Sequence, residues 1–252
     1  MDERTLKATL ISEKNDSVSG GIYQKLQIDF AYNSNHIQSS KLTYEQTRYI
    51  YETKTVGIEP ARVNDVIETV NHFRCFDRII ETAEQPLTEE YIKSLHFRLK
   101  MGCLDSDESM LGVYKIYPNI VGDAETTAPE DVAFDMKKLI KSYERRHKHS
   151  LYDIIDFHVC FERIHPFYDG NGRIGRLIMF KECLRSGIVP FVIEDMEKMY
   201  YYRGLREWEN GEKGYLADTC LTMQDYMKKT LDYFKIEYDK TEYTSKDILK
   251  GN

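Results

Sequence analysis

Ile164-His165-Pro166-Phe167-Tyr168-Asp169-Gly170-Asn171-Gly172-Arg173-Ile174-Gly175-Arg176 lies between two apolar runs, Leu151 to Ile164 and Leu177 to Leu184. Pro166 and the cluster Asp169-Gly170-Asn171-Gly172 should stop one helix and form a tight loop. The next helix then runs to Ser186, with Gly187 as its stop and Pro190 beyond. The pattern predicts helix, loop, helix. Glycines in such a loop let backbone amides approach an anion, and the unpaired N–H groups of the following helix start add partial positive charge. Arg173 and Arg176, three apart in that first turn, sit on neighbouring positions of one face, where two guanidinium groups could grip successive phosphates. Basic residues there oppose the helix dipole, which points to an anion as the missing charge. Asp169 offers a hard carboxylate suited to magnesium. His165, with an ordinary pKa of about 6.5, suits proton removal from a hydroxyl near neutral pH.

Working outward, only 14 Gly and 6 Pro punctuate the chain, and apolar residues recur at three and four spacing, which predicts an all-α fold. Val132, Met136, Leu139, Ile140 and Tyr143 mark one face of a helix opening at Pro129, with Glu130 and Asp131 at its positive end. Val66, Val70, Phe73 and Ile80 do the same for Val63 to Glu81, and Thr43 with Gln46 forms a capping-box pattern before a helix to about Tyr51. Leu151 to Ile164 is apolar on more than one face and should be the central, buried helix. Gly112 to Gly122 breaks the pattern with aromatic and β-branched residues around Pro118-Asn119, which suggests a small exposed hairpin. From about Glu237 the tail is polar and prone to fray.

The 252 residues carry 35 Lys and Arg against 42 Asp and Glu, a formal charge of −7 that argues against a surface coating nucleic acid. Any anion site must be local. Between Glu162 and Arg185 the balance reverses, with Arg163, Arg173, Arg176, Lys181 and Arg185 against Glu162, Asp169 and Glu182. No run reaches the apolar length of a membrane span, and Met1 to Leu10 is charged, so a cytoplasmic chain without membrane contact is expected. Cys75, Cys103, Cys160, Cys183 and Cys220 are odd in number and lack metal spacing, and read as reduced, mostly buried thiols. Glu144-Arg145-Arg146-His147-Lys148 reads as a charged helix end.

His-Pro-Phe-x-x-Gly-Asn-Gly-Arg-x-x-Arg resembles the signature of the Fic family, and His165, Pro166, Phe167, Gly170, Asn171, Gly172, Arg173 and Arg176 match each specified position. His158-Val-Cys-Phe161-Glu-Arg-Ile upstream, the Gly112–Gly122 hairpin and Asn33-Ser34-Asn35-His36-Ile37 extend the resemblance over roughly residues 20 to 230. It implies a Fic fold, a helical bundle around a central helix-loop-helix with a small β-hairpin flap. Residues 1–55 would then be an N-terminal helical segment, 56–236 the catalytic domain and 237–252 a tail. The implied activity is protein adenylyl transfer, moving AMP from ATP to a Ser, Thr or Tyr hydroxyl of a protein target, this chain included. By resemblance, His165 is the base, Asp169 holds Mg²⁺ or Mn²⁺, and Asn171 with the Gly170 and Gly172 amides stabilises the α-phosphate. Arg173 and Arg176 hold the β- and γ-phosphates, Phe167 anchors the loop, and Tyr201 and Tyr202 fall where relatives line an adenine pocket. The flap, with Tyr114, Lys115, Ile116, Asn119, Ile120 and Val121, would dock an extended target segment. The target and the oligomeric state are left open.

Family members often carry an inhibitory Ser/Thr-x-x-x-Glu-Gly/Asn whose Glu pairs with the second motif arginine. Here Ser34-Asn35-His36-Ile37-Gln38-Ser39 keeps the Ser but has Gln38 in place of Glu. An amide lacks the charge-assisted pairing of a carboxylate, so autoinhibition is expected to be weakened or absent. The alternatives are a Fic member moving or removing another phosphate-containing group (UMP, phosphate, phosphocholine, or AMP in reverse) and a nucleotide-binding protein without turnover. A zinc site from His158, Glu162 and His165 is disfavoured because neither a His-Glu-x-x-His pattern nor a convincing Cys partner appears; His158 is expected to be a buried side chain bonded to a carbonyl.

Overall fold

Two helices at the centre of the molecule carry the quoted stretch between them. The first, α7 (Leu151–Ile164), opens with a capping box in which the Ser150 hydroxyl and the Asp153 carboxylate each bond the other's backbone N–H. The second, α8 (Asn171–Ser186), is buried along nearly its whole length and ends at Gly187 in the left-handed region, as its stop signal predicted. A helix surrounded on all sides needs apolar residues on every face, which Ile174, Leu177, Ile178, Phe180 and Cys183 supply.

The computed structural model describes residues 5–57, 59–122, 124–146 and 148–250. Met1 to Arg4 and His147, part of the charged runs noted above, lie outside the described residues. Around the central pair pack α1 (Leu6–Asn15), α2 (Ile22–Ile37), α3 (Tyr44–Thr53), α4 (Val63–Glu81), α5 (Glu89–Lys100) and α6 (Pro129–Tyr143). After α8 follow α9 (Lys198–Glu209), α10 (Gly214–Tyr233) and α11 (Ser245–Lys250). The α4 and α6 boundaries coincide with those the periodicity predicts, and α3 carries the expected Thr43–Gln46 capping box. One apolar core takes in side chains from Leu6 to Ile248, and a smaller cluster of Ala31, Leu42, Ile50 and Phe73 fills the space between α2, α3 and α4. All five cysteines are free. Among the described residues no helix is long and apolar enough to cross a membrane.

Two expectations need correction. The tail does not simply fray: Thr5 bridges to Glu237, and α11 returns to α7 and α10 with Ile248 buried. Ile248 is joined there by Leu249 and Tyr238, which pack partly buried against the same core. The hairpin is shorter and displaced, pairing β1 (Ile120–Val121) with β2 (Ala124–Glu125), while residues 112–119 run without strand pairing. Of the aromatic and β-branched residues in that segment only Tyr114 is buried against the body, while Val113, Ile116 and Tyr117 stay exposed.

Candidate active site

α7 ends on His165 itself, which adopts a left-handed backbone (φ 49°) while its N–H bonds the Phe161 carbonyl. That conformation turns the chain sharply and brings the side chain to the edge of the loop, half-buried. His165 Nδ1 lies 3.3 Å from the Glu162 carbonyl oxygen. A carbonyl can only accept, so Nδ1 carries the proton and Nε2 keeps its lone pair. Burial lowers the imidazole to about 4, helped by the Lys115 ammonium and opposed by the Glu162 carbonyl and Asp169. His165 is therefore neutral, with an acceptor nitrogen, at physiological pH.

The loop after it is braced from both sides. Phe167 is fully buried and stacks on His96 at 4.0 Å between ring centroids, nearly parallel. Asn171 clamps the Phe167 backbone, accepting from its N–H and donating to its carbonyl, both at 2.8 Å. The Asn171 amide is thus occupied in holding the loop, where the resemblance implied a phosphate contact. Gly170, at φ 78°, makes the turn into α8, and a side chain there would be both strained and against Leu99. The α8 start has no acidic residue in its first turn and no side-chain cap, so its leading N–H groups present an anion cradle. At Gly172 a Cβ would come within 2.5 Å of Gln38 Nε2 and 3.1 Å of Arg176 Nη1. Both are the ends of flexible side chains, so a side chain at Gly172 would displace Gln38 and Arg176 from the cradle and not the backbone.

The two arginines do not project freely from the helix start; both are buried. Arg173 Nη1 pairs with Glu68 at 2.5 Å and Nη2 with Asp169 at 3.2 Å. Arg176 donates from Nε to the Ser34 hydroxyl (3.1 Å) and from Nη2 to the Ser34 carbonyl (2.8 Å), leaving Nη1 without a partner. The carboxylate of Asp169 bonds Lys100 Nζ at 2.6 Å as well as Arg173. Burial alone would raise its pKa, but Arg173 and Lys100 outweigh that and hold it well below the usual carboxylate range.

Three expected positions come out differently. Tyr201 does not line an open pocket: it is buried, and its hydroxyl lies 2.6 Å from His158 Nε2. His158 Nε2 thus meets a tyrosine hydroxyl, while the Gly175 backbone lies against the other side of the ring. Tyr202 is the exposed one of the pair, donating a long bond to the Ile37 carbonyl at 3.4 Å. In the flap segment, Ile116, Ile120 and Val121 are exposed, whereas Tyr114 and Lys115 are buried. Lys115 Nζ donates to Asn119 Oδ1 (2.7 Å), Thr126 (2.6 Å) and the Ile164 carbonyl (3.3 Å), its backbone N–H bonds Pro166, and Asn119 bonds the Phe167 carbonyl. Half of the expected docking residues thus pin the flap base to the loop. Ser34 and Gln38 do meet the α8 start, across more than a hundred residues of chain, but Ser34 and not Gln38 holds Arg176.

Sequence reasoning missed His96, Lys100 and Glu68. His96 accepts from the Gly112 N–H at Nδ1 (2.9 Å), so its Nε2 donates to the Asp169 carbonyl (3.1 Å). A His and a Lys four apart at the end of α5 were the available signal, though nothing local ties them to a loop some seventy residues on. No group of three or more His, Cys, Asp or Glu able to hold a metal occurs among the described residues.

Comparison with known proteins agrees with this architecture. Residues 86–183 match the profile of the Fic/DOC family. A protein adenylyltransferase Fic of Drosophila persimilis is 26% identical over 248 residues, covering 93% of this chain and 47% of that protein. One of Nematostella vectensis is 28% identical over 218 residues, covering 80% of this chain and 50% of its own length. The chain thus spans about half the length of these curated relatives. A Fic domain containing signaling protein from Bacteroides thetaiotaomicron superposes with a TM-score of 0.68 at 25% identity, covering 97% of this chain and 94% of that one. Residues 86–183 of this chain are thus similar to the Fic/DOC family, and the chain has an all-α fold of the Fic type.

Proposed function

We propose that this protein is an adenylyltransferase that moves AMP from ATP to a hydroxyl of a protein target, this chain among the candidates. The observation that carries this reading is the neutral His165, with Nε2 available, at the edge of a glycine-floored cradle of helix-start amides. Transfer requires a base for the attacking hydroxyl and fixed donors for the charge that builds on the phosphate. His165 Nε2 takes the hydroxyl proton as the oxygen attacks the α-phosphorus, and pyrophosphate leaves in line. The α8 amides face the phosphate oxygens, and Arg176 supplies a buried positive charge beside them once Ser34 releases it. The exposed Ile116, Ile120 and Val121 edge of the flap suits an extended target segment next to His165.

Asp169 fits a magnesium or manganese ion of the kind held by one protein carboxylate, with phosphate and water as the other ligands, because its carboxylate is accessible and hard. Such an ion would neutralise phosphate charge. The relatives' names, protein adenylyltransferase Fic, support ATP as the AMP donor, which a cytoplasmic setting suits. The deciding experiment uses ATP labelled at the α or the γ phosphate, with Mg²⁺ and either the chain alone or a cell extract. Protein-bound label from the α position only is expected; label from γ only would make the protein a kinase, and none from either would leave a binder without turnover.

The N-terminal segment is a weakened inhibitory element in this reading. Arg176 is held by two neutral acceptors of Ser34, while Gln38 lies over Gly172 without a charge. Gln38→Glu would place a carboxylate at the cradle, where it repels incoming phosphate and pairs with Arg176. Incorporation of α-label should fall about tenfold, the equivalent of about 1.4 kcal/mol. Unchanged incorporation would show that this segment has no hold on the site.

A further inference from the structure

Helix α5 grips Asp169 twice. His96 and Lys100, one turn apart, take its backbone carbonyl at 3.1 Å and its carboxylate at 2.6 Å. Lys100 Nζ also lies 2.6 Å from Glu68 Oε1, Glu68 Oε2 is 2.5 Å from Arg173 Nη1, and Arg173 Nη2 is 3.2 Å from Asp169 Oδ2. Four charges therefore alternate around a closed ring: Glu68, Lys100, Asp169, Arg173. The ring is asymmetric, because the Lys100 and Glu68 side chains are only 4% and 13% exposed while that of Asp169 is 54% exposed. Asp169 is the corner that a cation from solution can reach.

We propose that Lys100 is a tethered counter-cation which, balanced by Glu68, sets how readily a divalent ion takes the Asp169 carboxylate. This rests on the reading of Asp169 as the metal-binding residue. An ammonium as deeply placed as Lys100 cannot be left without an anion, since an unpaired buried charge is strongly unfavourable. Glu68 provides that anion whether or not Asp169 is engaged elsewhere, so Lys100 stays paired when the carboxylate turns to a metal. Arg173 is likewise kept by Glu68. Glu68 is thus a positioning residue that allows the exchange, and Lys100 the residue that resists it.

The two have opposite signs. Lys100→Met removes a positive charge beside the metal position, whereas Glu68→Gln removes the negative charge that offsets Lys100 and Arg173. The test titrates Mn²⁺ alone into the full chain and follows paramagnetic broadening of the backbone amide signals of residues 169–172, with no nucleotide or turnover involved. Relative to wild type, the midpoint should fall about tenfold in Lys100→Met and rise by a similar factor in Glu68→Gln, the scale expected for one charge within a few ångströms at intermediate screening. Loosened packing alone would move both variants the same way. Lys100→Gln, which keeps a hydrogen-bonding end, serves as the same deletion if the Met variant does not fold. Broadening in wild type with midpoints that are equal, or shifted in one direction, overturns the proposal while leaving Asp169 as a metal ligand. No broadening in any of the proteins, either with Mn²⁺ alone or with inorganic pyrophosphate added to supply the phosphate ligands, overturns both.

Discussion

Replacing His165 should reduce AMP transfer by about 10²- to 10⁴-fold, the usual contribution of a positioned general base, while ATP binding is retained. The binding half of this expectation follows from the geometry: the α8 amides and Arg176 do not depend on the imidazole for their placement. Because His165 holds a left-handed backbone, Ala would add strain there, and His165→Asn is the better variant, since Asn tolerates that region. Calorimetry of ATP binding beside α-label incorporation separates the two effects, and transfer persisting in both variants would remove His165 from the role of base. The pH profile gives a second check. Burial keeps the imidazole neutral down to about 4, so the transfer rate should stay level as pH falls from neutral to about 5. An acid limb at the ordinary value of about 6.5 would show a solvated histidine instead.

The largest effect on stability is expected at Phe167. Its ring is fully enclosed, stacked on His96 and within 5.7 Å of Tyr114, so Phe167→Ala opens a cavity at the point where flap, α5 and loop meet. The cost should be about 3–5 kcal/mol. For a chain of this length that lowers the melting temperature by about 6–20 °C, measurable by calorimetry. Transfer should fall with it, because the Asn171 clamp closes on the Phe167 backbone and the same few residues carry His165. Phe167→Leu refills most of the volume and should recover much of the stability. A melting temperature unchanged in the Ala variant would mean that the stack with His96 is not what holds the loop.

Local signals made much of the architecture legible before any coordinates. Pro129 with Glu130 and Asp131, the Thr43–Gln46 capping box, Gly187 and the three-four spacing of Val66, Val70, Phe73 and Ile80 each act within a few residues, and the helices begin and end where they indicate. The flap was less legible because strand preference does not say whether a residue pairs, turns inward or stays exposed. Tyr114 and Lys115 go inward to the loop, and only the four residues 120–121 and 124–125 pair. Tyr201 illustrates the same limit, since a tyrosine on an amphipathic helix does not say whether its hydroxyl meets a ligand or a buried histidine such as His158.

By itself, the sequence determined a helix-loop-helix with a glycine-floored anion cradle, a histidine at its edge and a carboxylate in its loop, because turn chemistry, helix starts and side-chain identity are local properties. Tertiary structure alone decided what those groups are joined to. Glu68 and Lys100 close a charge ring on Asp169 and Arg173, Ser34 takes Arg176, and His96 fixes both Phe167 and Asp169. These partners come from α2, α4 and α5, brought to the loop by burial of apolar helix faces, and hydrophobic burial carries no residue-by-residue address along the chain.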